Sequence, residues 1–284
     1  MIHWKPLKIA GLLSALGASP CAGQPTYDIV DLTEAAAPLG VAQCEGRAIN
    51  EAGQVVGFEL IDAFHGRAIA WEADGTARIL GLLPDDNSSV GVGVTEAGQP
   101  LGVSELLTVE MVGHQLRIVR DQKAVMWDPT APIALRDLVM SGPGDLEMLH
   151  SQAANGPGHI VGDGRTGVMA PFTPKGWLLR NGELIDLGEL QRPRASGDDG
   201  LIVGHSASMV WRDGVVTNLH EHPSIGGVKS EAWDINARRQ IVGRAQFDIS
   251  HPEQAALWED GVPTDLLQPL FGRPQSTAFA ISDA

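Results

Sequence analysis

Apolar positions along this chain come in short runs, each cut off by glycine, asparagine or aspartate, and the runs recur in sets. Runs of this length bounded by turn residues read as β-strands, because a helix needs ten or more residues of 3.6-residue periodicity. One phrase ties the sets together. It reads Ala48-Ile-Asn-Glu-Ala-Gly-Gln-Val-Val-Gly57 and returns, with substitutions, at Gly93–Gly102, Ala153–Gly162, Ala195–Gly204 and Asp234–Gly243. A partial copy lies at Ala280–Ala284. The closing glycines are 39 to 60 residues apart, the spacing of an array of like supersecondary units.

Within a unit the pattern predicts four strands. The apolar residues before Asn50 form the first strand, and Asn50-Glu-Ala-Gly53 suits a tight turn ending in a glycine of positive φ. Gln54-Val-Val-Gly57 opens the second. A third ends in tryptophan, as in Arg67–Trp71, Lys123–Trp127, Ala207–Trp211 and Gln254–Trp258, with Lys175–Leu179 as the variant. Asn181-Gly182, Asp213-Gly214 and Asp260-Gly261 then signal type I′ hairpins, with Asp74-Gly75 one residue later. The fourth strand is expected at Ala77–Leu82, Ala134–Leu138, Leu184–Leu187, Val216–Leu219 and Thr264–Leu267.

Four short antiparallel strands per unit predict an all-β fold, a β-propeller of five to six four-stranded blades with a last blade that is potentially incomplete. Tyr27–Leu32 reads as a spare fourth strand and Thr277–Ala284 as a spare first strand. An open solenoid fits less well, since its rungs are usually shorter and lack hairpin turns at fixed offsets.

The Asn-x-x-Gly-Gln-Val-Val-Gly phrase and the strand-ending tryptophans resemble the bacterial extracellular repeats named for a His-Ala-Phe strand. The resemblance covers about Tyr27 to Ala284 and departs at the naming strand, where the nearest readings are Arg67-Ala-Ile69 and Lys123-Ala-Val125. It implies an exported propeller-like protein and transfers no functional residue.

Outside the repeats, Lys5 and Lys8, the apolar run Ile9–Ala18 and the small residues Cys21-Ala-Gly23 have the layout of a secretory signal peptide. The expected organisation is therefore a leader at 1–23 and one repeat domain at 24–284, in the periplasm or outside the cell. A lipoprotein site at Cys21 is disfavoured by Pro20. Losing Cys21 with the leader would leave Cys44 as a lone thiol. The run is far too short to span a bilayer.

The net charge of −15 argues against nucleic acid and anionic lipid as partners and favours solubility or a basic partner. No cofactor, catalytic residue or metal site is expected. His220-Glu221-His222 has two histidines but no visible third ligand and reads as a surface loop beside Pro223. Asp163-Gly164 and Asp198-Asp199-Gly200 lack the alternating oxygen ligands of a calcium loop and read as turns. The recurrent asparagines read as turn holders, and the tryptophans as packing between units.

Function is sought instead where the repeat is interrupted. The second unit carries an added hairpin at Glu105–Gln122, and Met140–Met148 reads as a second irregular loop. Insertions in such arrays map to one face, often the binding face, which makes Glu105, Glu110, His114 and Arg117 the candidate binding residues. The expected function is non-catalytic binding of a protein or glycan by a monomeric ring, for instance as an inhibitor or immunity-type protein for a basic partner. The rivals are a glycoside hydrolase with carboxylates in the ring's channel and a structural surface repeat.

Overall fold

A computed structural model describes residues 30–113, 115–166, 173–205, 208–226, 229–266 and 275–283. The chain divides into two compact units, residues 1–31 and 32–284, and all the strands described below belong to the second. The expected leader lies outside the described residues, as do Tyr27–Ile29 of the expected spare strand.

Five four-stranded antiparallel sheets follow one another along the chain. The first holds β1 (Cys44–Ile49), β2 (Val55–Leu60), β3 (Gly66–Trp71) and β4 (Ala77–Ile79). The second holds β5 (Ser88–Val94), β6 (Pro100–Val112), β7 (Gln115–Asp128) and β8 (Ala131–Ala134). In the third are β9 (Leu146–Ala154), β10 (Ile160–Thr166), β11 (Thr173–Arg180) and β12 (Glu183–Asp186). The fourth has β13 (Pro193–Ser196), β14 (Ile202–Gly204), β15 (Met209–Arg212) and β16 (Val215–Asn218). The fifth has β17 (Ser230–Ile235), β18 (Ile241–Ala245), β19 (Gln254–Glu259) and β20 (Val262–Asp265). Strand order within every sheet is sequence order.

The core lies between sheets, and the strand-ending tryptophans are its main occupants. Trp127 packs with Val56, Ala70 and Leu80 of the first sheet. Trp177 packs with Leu101 and Leu135 of the second unit, and Trp211 with Val161 and Leu187 of the third. Trp258 packs with Val203 and Val210 of the fourth. Each of these rings is at most 3% exposed, so its main contribution is apolar area removed from water at a junction. The indole of Trp127 also donates to the Gly81 carbonyl at 2.8 Å.

The repeated Val-Gly has a steric cause. A Cβ on Gly57, Gly102, Gly162 or Gly243 would lie 1.9 to 2.0 Å from a carbonyl oxygen of the adjoining first strand. The register slips opposite this glycine, so every first strand carries a bulge there, at Arg47, Val92, Gln152, Arg194 and Trp233.

The recurrent asparagine does more than hold its turn. Asn50 accepts from the Gln54 amide at 3.0 Å and donates from Nδ2 to the Thr95 carbonyl of the next unit at 3.1 Å. Asn155 repeats this with His159 and Gly197, and Asn236 with Gln240 and Ser282.

Four expectations change. Asp163-Gly164, expected as a turn, lies inside β10 and is paired on both sides. The fourth strand of the second sheet is Ala131–Ala134, and Leu135–Leu138 is a 3-10 turn. The pairing Asp128↔Ala131 leaves only Pro129 and Thr130 in the hairpin, so the strand starts early and Leu135 is free to enter the core. Leu32 opens a short helix, α1 (Leu32–Ala36), rather than closing a strand, and its carbonyl accepts from the Trp71 indole at 3.0 Å. Residues 275–283 form no ladder, although they dock on the fifth sheet as a first strand would. There the Ala278 amide donates to the Gly243 carbonyl at 3.0 Å, and Ser276 Oγ accepts from the Ala255 amide as Ser89 Oγ does from Ala68.

Candidate functional site

In-order antiparallel strands put the asparagine turns and the Asn-Gly hairpins at one end of each sheet. The connections between second and third strands share the other end with the linkers between sheets. The insertion therefore extends from the linker end, as a continuation of β6 and β7, which run in register from Leu101↔Met126 to Val112↔Gln115. Cross-strand partners share a face. One face carries Leu107/Arg120, Val109/Ile118 and Met111/Leu116. The other carries Leu106/Asp121, Thr108/Val119, Glu110/Arg117 and Val112/Gln115.

Leu107 is buried where the ribbon leaves the body, braced by Asn87, which donates to its carbonyl and accepts from its amide at 2.9 and 2.8 Å. Beyond it the apolar face is open: Met111 is 65% and Leu116 53% exposed, with Val109 and Ile118 also exposed. A two-stranded ribbon is marginal in water by itself, and an apolar face without a layer behind it is the usual mark of a contact surface.

The four candidate residues separate. Glu105 is 2% exposed and is held by Arg120 at 2.5 Å, Ser88 at 3.1 Å and Gln122 at 3.1 Å, so it anchors the ribbon base and offers nothing to solvent. Glu110 and Arg117 face each other on the exposed half. His114 lies outside the described residues. The residues that sequence reasoning missed are the apolar ones. Their alternation within Leu106–Val112 and Leu116–Val119 was the available signal.

The second irregular loop is shorter than expected, because Leu146–Met148 belong to β9. Its remainder clips onto the β11–β12 hairpin: the Met140 amide donates to the Gly182 carbonyl at 2.7 Å and the Leu184 amide to the Ser141 carbonyl at 2.8 Å. Ribbon base, loop and third sheet together enclose a cleft of about 320 Å³ that includes Asp121, Lys123, Arg136, Glu147, Met148 and Arg165. Here burial works to lower the Lys123 pKa, but Asp86 and Asp121 outweigh it and the pKa is raised.

At the opposite end a cavity of about 220 Å³ is lined from all six copies of the phrase, by Glu51, Glu96, Gly156, Asp198, Ala237 and Asp283 among others. Three of its four carboxylates have a structural task. Glu96 accepts from the Glu51 amide at 3.3 Å, Asp198 from Gly156 at 2.7 Å and Asp283 from Ala237 at 2.6 Å, each across a unit junction. Carboxylates do converge here, but as acceptors for scaffold amides.

Leu219–Glu221 is a 3-10 turn, His220 bonds Ser230 Oγ at 2.9 Å, and His222 Nδ1 accepts from the Ser224 amide at 3.2 Å. No group of three or more His, Cys, Asp or Glu side chains among the described residues could hold a metal ion. No described helix is long and apolar enough to cross a membrane. Comparison with models of known families and with curated proteins finds no match to this chain.

Proposed function

We propose that this protein is an exported, non-catalytic binding protein that holds a protein partner against the apolar face of the β6–β7 ribbon. The observation that carries the reading is the open row of Val109, Met111, Leu116 and Ile118 on one face of a ribbon that projects beyond its own core. A propeller-like ring of five blades, with the sixth copy of the phrase beside the fifth, is the scaffold, supported by the cavity to which all six copies contribute. The charge of −15 suits a basic partner, as for an inhibitor or immunity-type protein. Export rests on the leader-like segment at 1–23.

The test is co-purification from the exported fraction with the full chain and with the double substitution M111E/L116E. The expected result is a partner retained by the first, lost by the second and weakened by salt. Equal recovery by both chains would dismiss the ribbon as the binding surface. N-terminal sequencing of the exported chain checks the leader, with Gln24 as the expected first residue.

A further inference from the structure

We propose a second binding site, for an acidic sugar of the hexuronate type, on the first strands of the fourth and fifth sheets and the segment 275–283 beside them. The bulge residue of each first strand stands three residues before the asparagine position, giving the row Arg47, Val92, Gln152, Arg194, Trp233 and Phe279 along the array. In the last three copies this row becomes a continuous stack. The Arg194 guanidinium lies 4.7 Å from the Trp233 ring centroid, and the Trp233 and Phe279 rings meet edge to face at 5.1 Å. Phe279 is 65% exposed, so the stack ends on an open aromatic surface.

The charges around the stack set the sign of the ligand. Asp163 is held by His150 and Gln152, both at 2.8 Å. Glu231 is held by Arg244 through two bonds of 2.7 Å and by His205 at 3.1 Å. Neither acid pairs directly with Arg194 or with the exposed Arg192, and among the described residues neither arginine has a carboxylate within ion-pair distance. Arg194 Nε is buried with no acceptor. Burial pushes the Arg194 pKa down, with only longer-range help from Asp163 and Glu231, so its positive charge is incompletely compensated.

In so acidic a protein, two adjacent arginines without carboxylate partners form a local anion site, and a guanidinium fork matches a carboxylate in geometry. The neighbouring aromatic surface selects a carboxylate carried on a pyranose, whose apolar C–H face can lie on the exposed Phe279 ring. Hexuronates combine these features. The site is separate from the ribbon.

The test titrates glucuronate, glucose and acetate into the full chain, following heat and the tryptophan fluorescence lost in Trp233→Phe. Glucuronate is expected to bind while glucose does not, with acetate clearly weaker. Arg194→Gln should weaken glucuronate by about tenfold or more, the effect of losing a charge-assisted hydrogen bond. Arg192→Gln, at an exposed position, should weaken it in the same direction if Arg194→Gln fails to fold. M111E/L116E should bind glucuronate as the parent does, which separates this site from the ribbon. Equal binding of glucose, acetate as tight as glucuronate, or affinity unchanged by both arginine substitutions would overturn the proposal.

Discussion

Gly57 and Gly243 sit where a first strand bulges against a second, and a methyl group there would stand 1.9 Å from the oxygen of Glu45 or Glu231. Because that oxygen belongs to a backbone fixed by its own ladder, Gly243→Ala should cost about 3 kcal/mol or more, measured by urea unfolding. Arg239 makes the opposite case. It holds φ at 63° where the corresponding turn residues Gly53, Gly98, Gly158 and Gly200 lie near 80°. Left-handed backbone at a non-glycine residue costs about 1 kcal/mol or more. Its ion pair with Asp199, at 2.7 Å, is half-exposed and worth about 0.5 kcal/mol. Arg239→Gly should therefore raise the melting temperature; a fall would mean that the ion pair outweighs the backbone. Positive φ at Asn181, Asp213 and Asp260 follows directly from the Asn-Gly and Asp-Gly pairs, so that part of the backbone is legible in sequence.

At the scale of elements, the ribbon and the last copy are the two pieces that depart from the regular sheet. Replacing Thr108–Val119 by a two-residue Asn-Gly turn keeps buried Leu107 and the Arg120 partner of Glu105 and removes no junction tryptophan, so the melting temperature should stay within a few degrees while partner capture is lost. Residues 275–283 depend on bonds across a junction, among them Asn236 Nδ2 donating to the Ser282 carbonyl at 3.1 Å, the Ala237 amide donating to Asp283, and the Ile281 amide donating to Asp234. Asn236→Ala removes the first of these and the bonds of its own turn. It should speed amide exchange over 278–283 more than over β18; equal protection in both chains would show that the segment is held by other contacts. The ribbon was readable as alternating hydrophobicity. The start of β8 was not, because a two-residue turn at Pro129-Thr130 competes with the expectation of a strand over Ala134–Leu138.

Across the molecule, many carboxylates among the described residues serve junctions or ion pairs, as Asp198 and Asp283 do at junctions and Asp163 and Glu231 do in pairs. Burial alone would raise the Asp163 pKa, but the His150 and Gln152 bonds outweigh it and hold it below its ordinary 3.8. A carboxyl depressed in the folded state stabilises the fold above about pH 3.8, and that contribution disappears as pH falls through the lower folded value. Asp163→Asn should thus flatten the acid limb of the stability profile below about pH 4 and change little in shape near neutrality; an unaltered acid limb would remove Asp163 from the account. By itself the sequence determined what short-range chemistry can dictate: four strands per unit from the spacing of apolar runs, turns from Asn, Asp and Gly, and tryptophans as packing residues. Tertiary structure alone decided that Glu105 is a buried anchor, that Arg194, Trp233 and Phe279 stack, and that turn residues from all six copies line one cavity. Those relations join residues tens of positions apart, and local propensity carries no record of which distant side chain will fill a neighbour's space.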